Sequence, residues 1–177
     1  NYFAKYTEGP ESAHILWTTP LTMGGLVGGD SGEHAFECGD AYEGKWRSGT
    51  IILAGRLYYS DGSATDQWQR VVCVDLHTGE ELWRKTLLDN RTLAFGQLMY
   101  WDTLNNHGVY DYLWVTVGTT WYAFDPYNAD LVYSITGVPS GSRVYGAKGE
   151  LLIYTINLQK GWMTQWNSTS VYWNTLM

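Results

Sequence analysis

The chain has 177 residues, of which 45% are hydrophobic and 16% charged, so it can bury a sizeable core as one domain and does not have the composition of a disordered tail. Its net charge of −7 comes from 11 basic and 18 acidic residues, and the basic ones are scattered singly, which argues against a nucleic-acid or anionic-membrane surface. The sequence has no run of 18 apolar residues, so we predict no membrane insertion by this segment.

The rest of the composition predicts strands joined by turns. Aromatic residues make up 16% of the chain and suit a half-buried pleated surface, while 20 Gly fit a fold with many tight turns. No stretch longer than about ten residues has a convincing helical period, and strand signals recur with turn residues between them, which indicates an all-β fold. In chain order, we predict strands at residues 14–21, 42–46, 50–53, 56–59, 68–76, 80–87, 93–101, 112–117, 121–125, 130–137, 142–145, 150–158 and 161–166, with a polar loop at 102–111.

The clearest local prediction is a β-hairpin at residues 50–59. Two short apolar segments flank Ala54 and Gly55, and a glycine in a two-residue loop supplies the positive φ angle that such turns need.

Two segments fifty residues apart, 73–83 and 123–133, share one frame. Each has a small residue, an Asp two positions later, a turn, and an aromatic residue eight positions after the Asp. Self-similarity at this period suggests the blades of a β-propeller. The matching pairs are Cys73 and Ala123, Asp75 and Asp125, and Trp83 and Tyr133.

Aromatic residues that close such units divide the chain into units of roughly 1–46, 47–90, 91–138 and 139–177 within one domain. These residues are Trp17, Trp83, Tyr133 and Trp166. We therefore expect about three four-stranded blades, whereas closed propellers have roughly four to eight. Since the chain also begins at Asn1 rather than Met, we expect a piece of a larger propeller, or a ring that partner chains complete.

The run from Asp75 through Gly79 to Trp83 resembles the tryptophan-docking repeat of the PQQ-like (quinoprotein-like) β-propeller family. In that family an indole wedges between adjacent blades, where its N–H can reach a backbone carbonyl. The second copy is looser, since Ala129 replaces the Gly and Tyr133 the Trp. The high content of Gly and Trp is similar to that of propeller proteins predicted on archaeal cell surfaces. The resemblance implies a structural docking role for Asp75, Gly79, Trp83, Asp125, Tyr133 and Trp166.

Catalysis is not what these residues predict. Quinoprotein dehydrogenases of this family need a full ring of blades, PQQ, Ca²⁺ and a catalytic Asp, and many have two adjacent Cys. This chain has Cys38 and Cys73, which are not adjacent. Because the chain is too short for such a ring and no loop shows the converging oxygens of a Ca²⁺ site, we predict no cofactor, no metal and no catalytic residue. PQQ and Ca²⁺ belong to the alternative that the chain is a fragment of a PQQ-dependent oxidoreductase.

Several side chains stay open to two interpretations. Cys38 and Cys73 could form a disulfide in an oxidising compartment, or Cys73 could be a buried thiol on a strand. The loop residues Asn105, Asn106 and His107 could bind a ligand, or form a solvated turn. Asn90 and Asn167 begin N-glycosylation sequons, which slightly favour an extracellular location.

We therefore expect a non-catalytic extracellular or cell-surface scaffold. Its partners would be a protein, further blades of the same parent protein, or a glycan. A third alternative is a carbohydrate-binding module, which predicts exposed aromatic residues on one rim, whereas the scaffold predicts them between blades.

Overall fold

The computed structural model describes residues 11–19, 50–61, 69–104 and 107–171. These residues form antiparallel sheets of four, four and three strands, so the prediction of an all-β fold is confirmed. The strands are β1 (Ile51–Leu53), β2 (Arg56–Ser60), β3 (Val71–Asp75), β4 (Glu81–Lys85), β5 (Phe95–Asp102), β6 (His107–Val117), β7 (Thr120–Phe124), β8 (Leu131–Ile135), β9 (Ser142–Tyr145), β10 (Leu151–Asn157) and β11 (Trp162–Asn167).

Each sheet is a meander of strands that follow one another in sequence. Sheet 1 has the order β1-β2-β3-β4 and sheet 2 the order β5-β6-β7-β8. Sheet 3 contains β9, β10 and β11, with β10 in the middle. The expectation of four strands per unit therefore holds for the first two sheets, whereas the described part of the third unit has three strands.

The hairpin predicted around Ala54 and Gly55 is confirmed. Ile51 pairs with Tyr58 and Leu53 with Arg56. Ala54 has a φ of 49° and Gly55 a φ of 75°, the two positive values that a tight turn between right-twisted strands needs.

One loop prediction and one strand prediction were wrong. Residues 102–111 were expected to form a polar loop, but β6 begins at His107, which pairs with Asp102. Backbone pairing with β5 forms this part of the strand although the segment is largely polar, and one side of the hairpin faces solvent here, where Val109 is 63% exposed. Residues 14–19 of the expected strand at 14–21 form no strand, and this segment instead attaches through the side chain of Trp17. The strand expected at 42–46 lies outside the described residues.

The sheets pack face to face, because alternate residues of each strand point to opposite faces. In β3, Val71 and Cys73 belong to the core between sheets 1 and 2, whereas Val72 and Val74 face the other way and contact Trp17. In β6, Leu113 and Val115 face sheet 1, and Trp114 faces sheet 3. The central part of sheet 2 is therefore covered on both faces, which explains why β6 and β7 are rich in apolar residues there.

The first strands of the three sheets lie next to one another. Strand β1 packs against β5. On β9, the hydroxyl of Tyr145 donates a hydrogen bond of 2.5 Å to the carbonyl of Gly96 on β5. The first strand of each sheet therefore lies next to the first strand of the following sheet.

Candidate functional site

The two repeated Asp residues form the same turn. Oδ1 of Asp75 accepts hydrogen bonds from the backbone amides of His77 (2.8 Å) and Thr78 (2.9 Å). Oδ1 of Asp125 accepts from Tyr127 (2.6 Å) and Asn128 (3.2 Å). Each carboxylate thus closes a turn of the kind that Asp favours. The bonds from Thr78 and His77 lower the pKa of Asp75, because they stabilise its charged form.

The turns end in a residue with left-handed backbone, which explains the glycine of the first copy. Gly79 has a φ of 75° and Ala129 a φ of 59°. A Cβ on Gly79 would lie 2.6 Å from the ring of Trp17, so the position must also lack a side chain for reasons of space. Ala129 tolerates the strained conformation, since its small side chain is buried in the core between sheets 1 and 2.

An indole of the preceding part of the chain contacts each turn. Nε1 of Trp17 donates a hydrogen bond to the carbonyl of Leu76 at 2.9 Å. Nε1 of Trp83 donates to the carbonyl of Pro126 at 3.1 Å. Leu76 and Pro126 hold the same place in the repeat, one residue after the Asp. The same contact therefore occurs twice, and in the second case it joins sheet 1 to sheet 2.

Pro126 accepts a second hydrogen bond at the same carbonyl. The hydroxyl of the buried Tyr58 donates to it at 3.1 Å, and the Tyr58 and Trp83 rings lie 5.9 Å apart. A carbonyl oxygen has two lone pairs, so it can satisfy both donors. Burial raises the pKa of Tyr58, which keeps it a neutral donor.

A different set of hydrogen bonds, centred on a buried glutamine, joins sheets 2 and 3. Nε1 of Trp114 donates to Oε1 of Gln97 at 2.9 Å, and Nε2 of Gln97 donates to the carbonyl of Gly149 at 2.8 Å. Gln97 is buried, and sequence reasoning missed it. Its signal is a polar residue at a core position of the alternating strand β5, between Phe95 and Met99.

The other two docking candidates lie in this second junction. Tyr133 pairs with Ala123 as Trp83 pairs with Cys73, and its ring lies 5.5 Å from that of Trp114. Trp166 lies on β11, and its ring is 6.2 Å from Trp121 of sheet 2. Trp166 therefore faces back towards the preceding sheet, a position different from those of Trp83 and Tyr133.

The remaining candidates are spread over the molecule. His107 is exposed at the start of β6, while Asn105 and Asn106 lie outside the described residues. Asn90 is half-buried in a turn with a φ of 68°. The structure brings none of these described residues together with the docking turns.

The cysteine and the second sequon have well-defined surroundings. The Cys73 side chain is fully buried, and burial raises the pKa of its thiol. Cys38 lies outside the described residues, so the disulfide stays a prediction. Oδ1 of Asn167 accepts hydrogen bonds from the amide (2.9 Å) and the hydroxyl (2.8 Å) of Thr169.

Two cavities lie at the sheet junctions. One, of about 300 Å³, lies between β1, β5 and Tyr145. The second, of about 250 Å³, is called the inter-sheet pocket here, and it lies where the end of β5 meets sheet 3. Its walls are Tyr100, Trp101, Asp102, Thr103, Lys148, Glu150, Asn167 and Thr169.

Within the described ranges, no three His, Cys, Asp or Glu side chains converge as metal ligands would. Those ranges also contain no helix long and apolar enough to cross a bilayer. Comparisons of the chain with protein-family models, with curated proteins and with solved structures find no match.

Proposed function

We propose that this chain forms consecutive blades of a PQQ-like β-propeller scaffold, which acts outside the cell as a non-catalytic binding or structural component. The observation that supports it best is the repeated contact of an indole with a turn. Trp17 reaches the carbonyl of Leu76, and Trp83 reaches that of Pro126, at the same position of successive repeats. Such a contact ties neighbouring sheets into a stack that additional sheets can extend.

The outward face of sheet 3 supports an extension of the stack. Leu151 and Ile153 are buried against sheet 2, so the alternate residues of β10 point outwards. On that face Ile156 is 58% exposed, and its partner Met163 is 62% exposed. Val144, which pairs with Leu152, is 42% exposed. The corresponding outward face of sheet 1 is covered by Trp17.

A further sheet is therefore the occupant that this face fits best. It would come from the same parent protein or from a partner chain. Large apolar areas on a soluble protein usually mark such contacts.

The acidic residues at the repeat have structural tasks, which favours a scaffold over an enzyme. The carboxylates of Asp75 and Asp125 are held by backbone amides of their own turns. The carboxylates of Asp61 and Glu81 pair with Arg84 on the surface of sheet 1. Among the described residues, no three acidic, His or Cys side chains converge, so this part of the chain holds no carboxylate cluster of the kind that Ca²⁺ favours.

The test is the mass of the native particle, measured by light scattering together with intact-mass spectrometry. We expect a defined multimer, or chains that co-purify with this one, rather than a particle of 20.1 kDa. A charge on the outward face, Ile156→Lys, should reduce the assembly. Val109→Lys is the matched control, because Val109 is 63% exposed on sheet 2. A monomer at all concentrations up to about 100 µM, a range that detects contacts of μM affinity, would refute completion of the stack by partner chains.

A further inference from the structure

Strand β11 has an open edge among the described residues. It pairs with β10 on one side only, whereas the third strands of sheets 1 and 2, β3 and β7, are each followed by a fourth strand. The backbone groups of an open edge are a template for another strand unless the protein blocks them. Whether such an edge takes a partner therefore depends on its charges and its regularity.

The outer strands of sheets 1 and 2 have features that block pairing, and β11 has none of them. In β4, Glu81, Arg84 and Lys85 put charges on the edge, and the pairing with β3 contains a register shift. The pairing of β8 with β7 contains a similar shift. Strand β11 has no charged residue and no proline, and its six residues pair with β10 in unbroken register. Because bulges and charges are the usual protection of an edge, β11 is the outer strand that a partner fits best.

The hydrogen bonds of sheet 3 identify the backbone groups at the open edge. The amide of Ser168 donates to the carbonyl of Leu151 at 2.9 Å. Antiparallel pairs alternate between hydrogen-bonded and non-hydrogen-bonded positions, so the even-numbered residues of β11 turn their amides and carbonyls towards β10. Met163 and Gln165 consequently turn theirs to the open edge.

The aromatic and threonine positions of β11 are symmetric about Thr164. The strand reads Trp-Met-Thr-Gln-Trp from Trp162 to Trp166. In an antiparallel pair of two copies with Thr164 on the two-fold axis, Trp162 faces the partner's Trp166, and the two Thr164 side chains face each other. Aromatic pairs and Thr–Thr pairs are among the cross-strand pairs that stabilise an antiparallel sheet. They fall at the non-hydrogen-bonded positions of the new ladder, where opposite side chains are closest.

The same register satisfies the backbone groups at the open edge. Met163 of one copy lies opposite Gln165 of the other, so the two residues exchange two hydrogen bonds, and the symmetry repeats them. The pairing brings no like charges together, since β11 carries no charge. Thr164 is exposed and Trp162 is 43% exposed, so both side chains are available for the contact.

We propose that two copies of this chain associate through β11, in an antiparallel pair with Thr164 on the two-fold axis that joins the two copies of sheet 3 into one six-stranded sheet. This contact goes beyond the proposed scaffold function, because it joins two scaffolds at a sheet edge and leaves the outward face of sheet 3 free for a further sheet. One pair of six-residue strands is small beside the ~1,200–2,000 Å² that stable interfaces bury, so we expect a weak dimer with a Kd of about 100 µM.

Sedimentation equilibrium of the full chain from about 5 to about 500 µM measures the dimer. Thr164→Lys and Thr164→Glu each place two like charges on the axis, so each should weaken the dimer about tenfold. An equimolar mixture of the two variants should restore it, because opposite charges then meet on the axis. Ser134→Lys and Ser134→Glu are the matched controls, since Ser134 is exposed on the edge strand β8, and neither should change the dimer.

Hydrogen exchange locates the contact. The amides of Met163 and Gln165 should exchange freely in the monomer and become protected as the concentration rises. The other occupant of this edge is a further strand of this chain or of its parent protein, which would protect them at every concentration. That result overturns the proposal, as does a monomer over the whole range or a mixture of the Thr164 variants that stays monomeric. Ile156→Lys distinguishes this contact from the stack of sheets, because it changes the outward face and should leave the β11 dimer intact.

Discussion

Replacement of Trp83 should destabilise the fold by an amount that follows from its contacts. The ring is half-buried in the core between sheets 1 and 2, beside Tyr58, and its N–H bonds to the carbonyl of Pro126. Emptying a buried aromatic site costs ~3–5 kcal/mol, and partial burial puts Trp83→Ala near the lower end, about 3 kcal/mol. Trp83→Phe keeps a ring but loses the hydrogen bond, and should cost about 1–1.5 kcal/mol.

Urea unfolding followed by circular dichroism measures both changes in the free energy of unfolding. Trp162→Ala is the control, because Trp162 is 43% exposed on β11 and its loss should cost less than that of Trp83. A double-mutant cycle with Tyr58→Phe adds a sharper test, since both side chains donate to Pro126. The two substitutions should be non-additive, because removal of one donor strengthens the bond of the other. A cost below about 1 kcal/mol for Trp83→Ala would refute the idea that this indole ties the sheets together.

Three further predictions concern buried or charged groups. Gln97→Leu should lower the free energy of unfolding in urea by about 2–4 kcal/mol, because the Trp114 N–H and the Gly149 carbonyl both lose a partner. Gln97→Glu should recover stability as the pH falls, since its protonated carboxyl can again donate to the Gly149 carbonyl. The lowered pKa of Asp75 adds stability that is present above about pH 4 and is lost as the pH falls through the pKa of the folded state. Asp75→Asn should therefore reduce the loss of unfolding free energy at acid pH. An unchanged dependence of stability on pH would contradict the role of Asp75 in its turn. In reduced protein, the buried thiol of Cys73 should resist a thiol reagent until global unfolding, as peptide mass spectrometry would show, and rapid labelling in native buffer would disprove its burial.

Local sequence signals predicted most of the strands. The Ala54-Gly55 hairpin could be recognised because its turn needs positive φ angles at adjacent positions. The prediction of a loop at 102–111 was wrong because it relied on local composition. Composition there is polar, yet backbone bonds to β5 extend β6 to His107, and such pairing depends on a partner strand rather than on the residues themselves.

The candidate site residues likewise differ in whether a local sequence pattern marks them. Asp75, Gly79 and Trp83 could be proposed as docking residues because the repeat has corresponding positions in its second copy, occupied by Asp125, Ala129 and Tyr133. Gln97 was missed, since a single buried amide has no repeated pattern and its partners lie 17 and 52 residues away. The inter-sheet pocket was also missed, because only the docking of sheet 3 on sheet 2 brings Tyr100 near Lys148.

The sequence by itself determined the all-β class and the form of the turns, because strand periodicity and left-handed turn residues act within a few positions of the chain. The tertiary structure alone decided which faces meet. It brought the indole of Trp83 to the carbonyl of Pro126 and the amide of Gln97 between Trp114 and Gly149. It also left the outward face of sheet 3 uncovered in the described residues. These outcomes depend on packing between residues distant in sequence, where the shape and hydrogen-bonding capacity of the partner decide the contact.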